Sequence, residues 1–192
     1  AIQGNYGLFR RAEIVAEADR MNDLIANLLE LARGDESSDA TPLPIIDLAG
    51  VITTELAAEI TAGAIAVEIE PGVQVWGVTD QLRRLVRNLV DNAATSRATT
   101  TVVQGTSTDG LAHIRVEDDG PGVPERDHQL IFERFARSDD ARGRSEGGAG
   151  LGLALVASIV ARHRGTIDVT RSAALGGACF EVSLPAPSRP GP

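Results

Sequence analysis

The sequence predicts an α+β domain, a two-layer sandwich with helices covering one face of a mixed sheet, preceded by a separate N-terminal helix. Three observations carry this. Strands follow one another across short turns at Thr108-Asp109-Gly110 and Gly176-Gly177, where a strictly alternating β-α-β chain would insert a helix. Two helical stretches can cover a sheet: Leu82, Leu85, Val86, Leu89, Val90 and Ala93 recur at helical spacing, and Leu151 to Ala161 is apolar almost throughout. Upstream, Ile14, Ala18, Met21, Ile25, Leu28 and Ala32 form a heptad seam, which one helix cannot bury alone and which therefore predicts a partner helix.

Taken in order, the N-terminal helix runs from about Arg10 to Arg33, with Glu13, Glu17, Asp19, Arg20 and Asp23 on its outer faces, and stops at Gly34. Residues 34–44 are a polar linker with two prolines. A domain spanning residues 45–185 begins with a short strand, Pro44 to Leu48, and a helix from Ala49 to Thr61. Ala64 to Glu70 and Val73 to Val78 read as strands with Pro71-Gly72 turning between them. Thr79 or Asp80 is placed to cap the long helix, which runs to about Ser96. Thr100 to Thr106 and Leu111 to Asp118 form a hairpin, and Pro124 to Phe132 a short helix. Arg137 to Gly148 holds almost no apolar residue and is too long for a simple connection, so it reads as a mobile loop, placed to act as a lid. Leu151 to Arg162 is a helix, and Gly165 to Arg171 pairs antiparallel with Cys179 to Leu184. Residues 186–192 are a Pro-rich tail expected to be disordered.

The 192 residues suit one domain and an appendage, and 43% hydrophobic content supports a core. With only 3% aromatics, that core must be built from Ala, Val, Ile and Leu. A formal charge of −9 argues against nucleic-acid binding, which needs a basic stripe. All 18 basic residues are arginine. Cys179 is the only cysteine, so no internal disulfide can form; it reads as a small buried hydrophobe beside Phe180, in keeping with a reducing cytoplasm. No apolar run approaches the roughly 20 residues that span a bilayer. The chain starts at Ala1 rather than Met, which predicts a piece of something longer.

Three stretches carry chemistry. Val116-Glu117-Asp118-Asp119-Gly120-Pro121-Gly122 ends a strand in a carboxylate and two glycines. A carboxylate held there can accept a hydrogen bond from an exocyclic amine such as that of adenine, and glycines let the backbone lie close to a ligand. Glu146-Gly147-Gly148-Ala149-Gly150-Leu151-Gly152 leads into an apolar helix, whose free N–H groups and dipole favour phosphate. Asn88 and Asn92, four apart on the long helix, share a face. Their amide oxygens suit a hard cation that keeps some waters and bridges phosphates, namely Mg²⁺. Arg134, Arg137, Arg142 and Arg144 are candidates to meet phosphate oxygens.

In this order the stretches resemble the ATP-binding domain of bacterial two-component sensor histidine kinases, within the wider GHKL superfamily. The asparagine motif is Asn88 to Asn92, the first glycine motif Asp118 to Gly122, the aromatic motif Phe132-Glu133-Arg134-Phe135, and the second glycine motif Gly148 to Leu153. The resemblance implies the Bergerat ATP fold, with residues 1–33 as part of a dimerisation hairpin. It implies ATP and Mg²⁺ as ligands: Asp118 on the adenine, Gly120 and Gly122 beside the ring, and Asn92 helped by Asn88 on the metal. Gly148, Gly150, Leu151 and Gly152, with Arg134 and Arg137, would surround the phosphates. It further implies a homodimer through the N-terminal helix, a response-regulator partner, and a cytoplasmic domain anchored to the membrane only through an upstream segment.

Where hydrolysing GHKL members carry a glutamate base, this chain has Asn88, and an amide is not a base at neutral pH. That suits transfer to an acceptor already nucleophilic, a histidine imidazole. The acceptor motif itself, a His followed by Glu or Asp, is absent; His113, His128 and His163 lie elsewhere and read as structural, so this chain alone is not expected to phosphorylate itself. Thr95 stands where the family often has a lysine, and Ala178 where it has a threonine after the late Gly-Gly. A degenerate, non-catalytic nucleotide-dependent interaction module is the alternative.

Overall fold

A computed structural model describes residues 43–136 and 150–187. In chain order it contains β1 (Ile45–Asp47), α1 (Leu48–Glu55), α2 (Ala57–Thr61), β2 (Ala66–Ile69), β3 (Gln74–Trp76), α3 (Thr79–Thr95), β4 (Thr101–Thr108), β5 (Leu111–Asp118), α4 (Gly152–Arg162), β6 (Thr166–Arg171) and β7 (Ala178–Pro185). Two 3-10 turns, Glu125–Asp127 and Leu130–Phe132, stand where the sequence suggests one short helix. The heptad helix, most of the linker, the expected lid and the end of the tail lie outside the described residues.

The main sheet is mixed, in the order β2-β4-β5-β7-β6, with β2 parallel to β4 and the other pairs antiparallel. Val103, Ile114, Val116, Phe180, Val182 and Leu184 alternate along its central strands and are buried against the helices. The apolar face of α3, from Leu82 to Ala93, is buried in full, and α3 packs beside α1 and α4. Amphipathic helices thus cover one face of the sheet, and aliphatic side chains make up most of the core between the layers. The opposite face is polar: Arg115 lies 3.2 Å from Glu117 and 3.5 Å from Glu181. Cys179 is buried as expected, but its Sγ faces this network and accepts from Arg115 Nη2 at 3.4 Å.

The β4–β5 hairpin follows the expected turn chemistry. Asp109 and Gly110 both take positive φ, 55° and 75°, as a two-residue type I′ turn requires. Four local details differ from the sequence reading. β2 and β3 do not form a hairpin; β3 pairs with β1 as a separate ribbon, while β2 joins β4 in parallel, with α3 in the crossover. The helix expected over 49–61 is broken at Leu56, and there Arg87 Nη2 donates to the Glu55 carbonyl that a continuous helix would give to the N–H of Glu59. Arg87 Nε also donates to Glu55 Oε1 at 3.0 Å, and its guanidinium pairs with Glu59. Neither Thr79 nor Asp80 caps α3; its N-cap is Val78, which has no side-chain cap. Instead the Val78 N–H donates to Nε2 of buried His163 at 3.1 Å, while His163 Nδ1 donates to the Ile159 carbonyl at 2.8 Å. His163 is therefore a neutral clasp between the end of α4 and the start of α3, in keeping with the structural role read from the sequence. Finally Ala186, at the start of the expected tail, donates its N–H to the Gly110 carbonyl at 2.9 Å.

Candidate nucleotide-binding site

Asp118 ends β5 and is only 1% exposed. Its Oδ1 accepts from the N–H of Gly120 at 2.8 Å and from the N–H of Ala178 at 3.1 Å. Two backbone donors 58 residues apart in sequence thus fix the carboxylate through Oδ1. The Ala178 donor is presented by the turn between β6 and β7. Within it Ser172 N–H donates to Gly177 O, and the Gly177 N–H donates to the Asp118 carbonyl at 3.0 Å. Behind it, Ser172 Oγ donates to buried Glu117 at 2.5 Å. A Cβ on Gly177 would lie 2.3 Å from both Asp118 O and Oδ1, so only glycine fits. Gly122 has φ of 76° and lies beside Gly177.

Asn88 and Asn92 sit half-buried on α3. Asn88 Nδ2 donates to the Arg84 carbonyl at 2.7 Å, which turns Oδ1 toward the start of α4; a Cβ on Gly152 would lie 2.7 Å from that oxygen. Leu151 is buried at the N-cap of α4 and offers no side-chain cap. The N–H groups of the first helical turn have no intrahelical acceptor, an arrangement that favours an anion. Gly150, with φ of 70°, is held by the Phe135 N–H at 3.0 Å, and a Cβ there would meet Ala136 O at 2.7 Å. The two ends of the undescribed segment are therefore joined. Arg134 is exposed, and Arg137 and Gly148 lie outside the described residues.

The structure thus brings Asn88 against Gly152, and Asp118 against Gly120 and the Gly177-Ala178 turn. Helix α3 joins the two clusters, because the Ser96 carbonyl at its end lies 3.4 Å from where a Cβ of Gly120 would be. Among the described residues no cluster of three or more His, Cys, Asp or Glu could hold a metal. His113 meets Ser183 Oγ at 2.9 Å and His128 meets Val123 O at 3.1 Å, so all three histidines are engaged within the fold. Sequence reading missed Gly177, the Ala178 N–H and Asp119; the Gly-Gly pair was visible as a turn, but its contact with Asp118 exists only after folding.

A buried strand-end carboxylate beside glycines, an amide-bearing helix and an uncapped helix start define a nucleotide-binding α+β domain. Residues 77–188 match the model of the histidine kinase-, DNA gyrase B- and HSP90-like ATPases, and the chain belongs to that ATP-binding family. Its relatives within the family are sensor histidine kinases. It is 35% identical over 191 residues to the signal transduction histidine-protein kinase/phosphatase MprB of Mycolicibacterium smegmatis, covering 95% of this chain and 38% of the relative. It is 34% identical over 172 residues to the histidine-protein kinase AfsQ2 of Streptomyces coelicolor, covering 90% of this chain and 32% of that one. The chain spans about a third to a half of the curated relatives it matches. Among solved structures, a mycobacterial sensor histidine kinase MprB superposes with a TM-score of 0.63 at 31% identity, covering 76% of this chain and 99% of that one. The ATP-binding domain of PrrB from Mycobacterium tuberculosis gives 0.60 at 30% identity, covering 75% and 97%. No helix among the described residues is long and apolar enough to cross a membrane.

Proposed function

We propose that this domain binds Mg·ATP and donates its γ-phosphoryl group to a histidine outside this chain, for relay to a response-regulator aspartate. The observation that carries the reading is Asp118, buried, with Oδ1 fixed by two backbone N–H groups, an orientation in which Oδ2 would accept from an adenine amine. Asn88 and Ser96 are eight residues apart, about 12 Å along α3, a span that suits an extended nucleotide with its base near Gly120 and its phosphates near Gly152. Asn92, with Asn88, would hold Mg²⁺ by amide oxygens, and the bound ion would neutralise charge on the phosphates. Gly148, Gly150, Leu151 and Gly152 would admit the phosphates, with Arg134 and Arg137 nearby in the chain.

In the transfer a P–N bond forms to the acceptor imidazole as the P–O bond to ADP breaks. Asn88 cannot activate water as a base, so the chain's own work is positioning and electrostatic stabilisation. In the whole protein the heptad helix would dimerise, and an upstream segment would anchor the kinase to a membrane. Titration calorimetry tests the metal role. Asn92→Ala should weaken Mg·ATP by more than it weakens metal-free ATP, and an equal loss would refute it.

A second reading is a nucleotide-dependent interaction module without kinase activity. It is favoured by Thr95, which stands where a lysine would be and whose hydroxyl is spent on the Asp91 carbonyl at 2.8 Å. Joining the domain to a histidine-bearing hairpin separates the two, since phosphohistidine forms only if the domain is competent.

A further inference from the structure

Asp119 follows the base-reading carboxylate, yet it points away from it and binds a different element. Its Oδ1 accepts from the N–H of Thr99 at 2.6 Å and of Thr100 at 2.9 Å, and its Oδ2 accepts from the Thr99 hydroxyl at 2.5 Å. Its own N–H donates to the Thr100 carbonyl at 3.2 Å. Thr99 and Thr100 belong to the connection that leaves α3, the helix of Asn88 and Asn92. That helix ends tightly: Ser96 Oγ donates to the Asn92 carbonyl at 2.8 Å, and the Ala98 N–H donates to the Ala93 carbonyl at 3.2 Å. Only two residues, Arg97 and Ala98, separate Ser96 from the Thr99-Thr100 clip, so little slack remains between Asn92 and Asp119. These donors hold the Asp119 carboxyl well below the usual carboxylate range, chiefly through the Thr99 hydroxyl and the Thr100 N–H, so the clip stays ionised through neutral pH.

We propose that Asp119 is a positioning residue, locking the end of the asparagine helix to the strand end that carries Asp118 and thereby setting the spacing between the base subsite and the metal-phosphate subsite. This rests on the nucleotide reading above. It touches neither base nor metal; it acts by making one ligand engage both subsites at once.

The test is calorimetric titration of wild type and Asp119→Ala with adenosine, metal-free ATP and Mg·ATP, alongside thermal melts. Adenosine uses only the Asp118 side and should keep its affinity within about threefold, while Mg·ATP, which spans both subsites, should weaken about tenfold or more. The preference for Mg·ATP over metal-free ATP should collapse. In an Asn92→Ala background, Asp119→Ala should then have no further effect on that preference, because the two changes remove one coupling. Asp119→Asn, which keeps an acceptor for both backbone donors, should restore part of the loss. If Asp119→Ala does not fold, Thr99→Val removes one hydroxyl and should shift the same ratio in the same direction. Equal losses for adenosine and Mg·ATP, or no loss, overturn the positioning role while leaving the nucleotide reading standing. Failure of the wild type to bind Mg·ATP overturns both.

Discussion

Asp118→Asn separates recognition from folding. The two backbone donors on Oδ1 orient whatever carboxamide replaces the carboxylate, so the asparagine oxygen should take the place between Gly120 and Ala178 and its NH₂ should take the place of Oδ2. The fold then keeps both hydrogen bonds. The base, however, meets a donor where it needs an acceptor, and loses a hydrogen bond to a charged group worth about 1.5–3 kcal/mol. That corresponds to a loss of affinity of roughly 10- to 150-fold for ATP. Calorimetric titration with ATP at fixed Mg²⁺ measures it, and a thermal melt checks that the variant is folded. Asp118→Ala is the poorer probe, since it also strips the partner from the half-buried Gly120 N–H and from the buried Ala178 N–H, the latter alone costing about 1–3 kcal/mol. An Asp118→Asn protein that melts like wild type and binds ATP within about threefold of it would refute the assignment of the base to this carboxylate.

Gly177→Ala should destabilise the domain by about 1–3 kcal/mol and weaken ATP, because the new methyl meets Asp118 at 2.3 Å; denaturant melts and the same titration read both effects. Arg97 ends α3 in the left-handed conformation, φ of 64°, so Arg97→Gly should raise stability by about 0.5–1 kcal/mol in urea unfolding. His163 has its pKa held below the ordinary imidazole value, mainly by burial, with Arg162 adding to that and the Ile159 bond opposing it. The unfolded state therefore binds the extra proton first: stability is full above about pH 6.5 and falls as pH drops from there toward the folded value. Urea midpoints between pH 8 and 5, about the range in which imidazole titrates, should show this, and His163→Gln should flatten that part of the slope.

The sequence by itself determined the local elements and the candidate ligand groups. The apolar stripe from Leu82 to Ala93, the turn at Asp109-Gly110 and the glycines that take positive φ all follow from backbone geometry within a few residues, which periodicity and residue type report directly. The tertiary structure alone decided which of these pieces meet. Arg87 satisfies the Glu55 carbonyl at the helix break from 32 residues away, Ala178 fixes Asp118 from 60, and His163 clasps Val78 from 85. The pairing of β2 with β4 rather than with β3 belongs to the same class. Such contacts form only when packing has brought distant backbone into register, and their partners are mostly main-chain N–H and C=O groups. Every residue carries those groups alike, so residue identity does not mark which of them will be used.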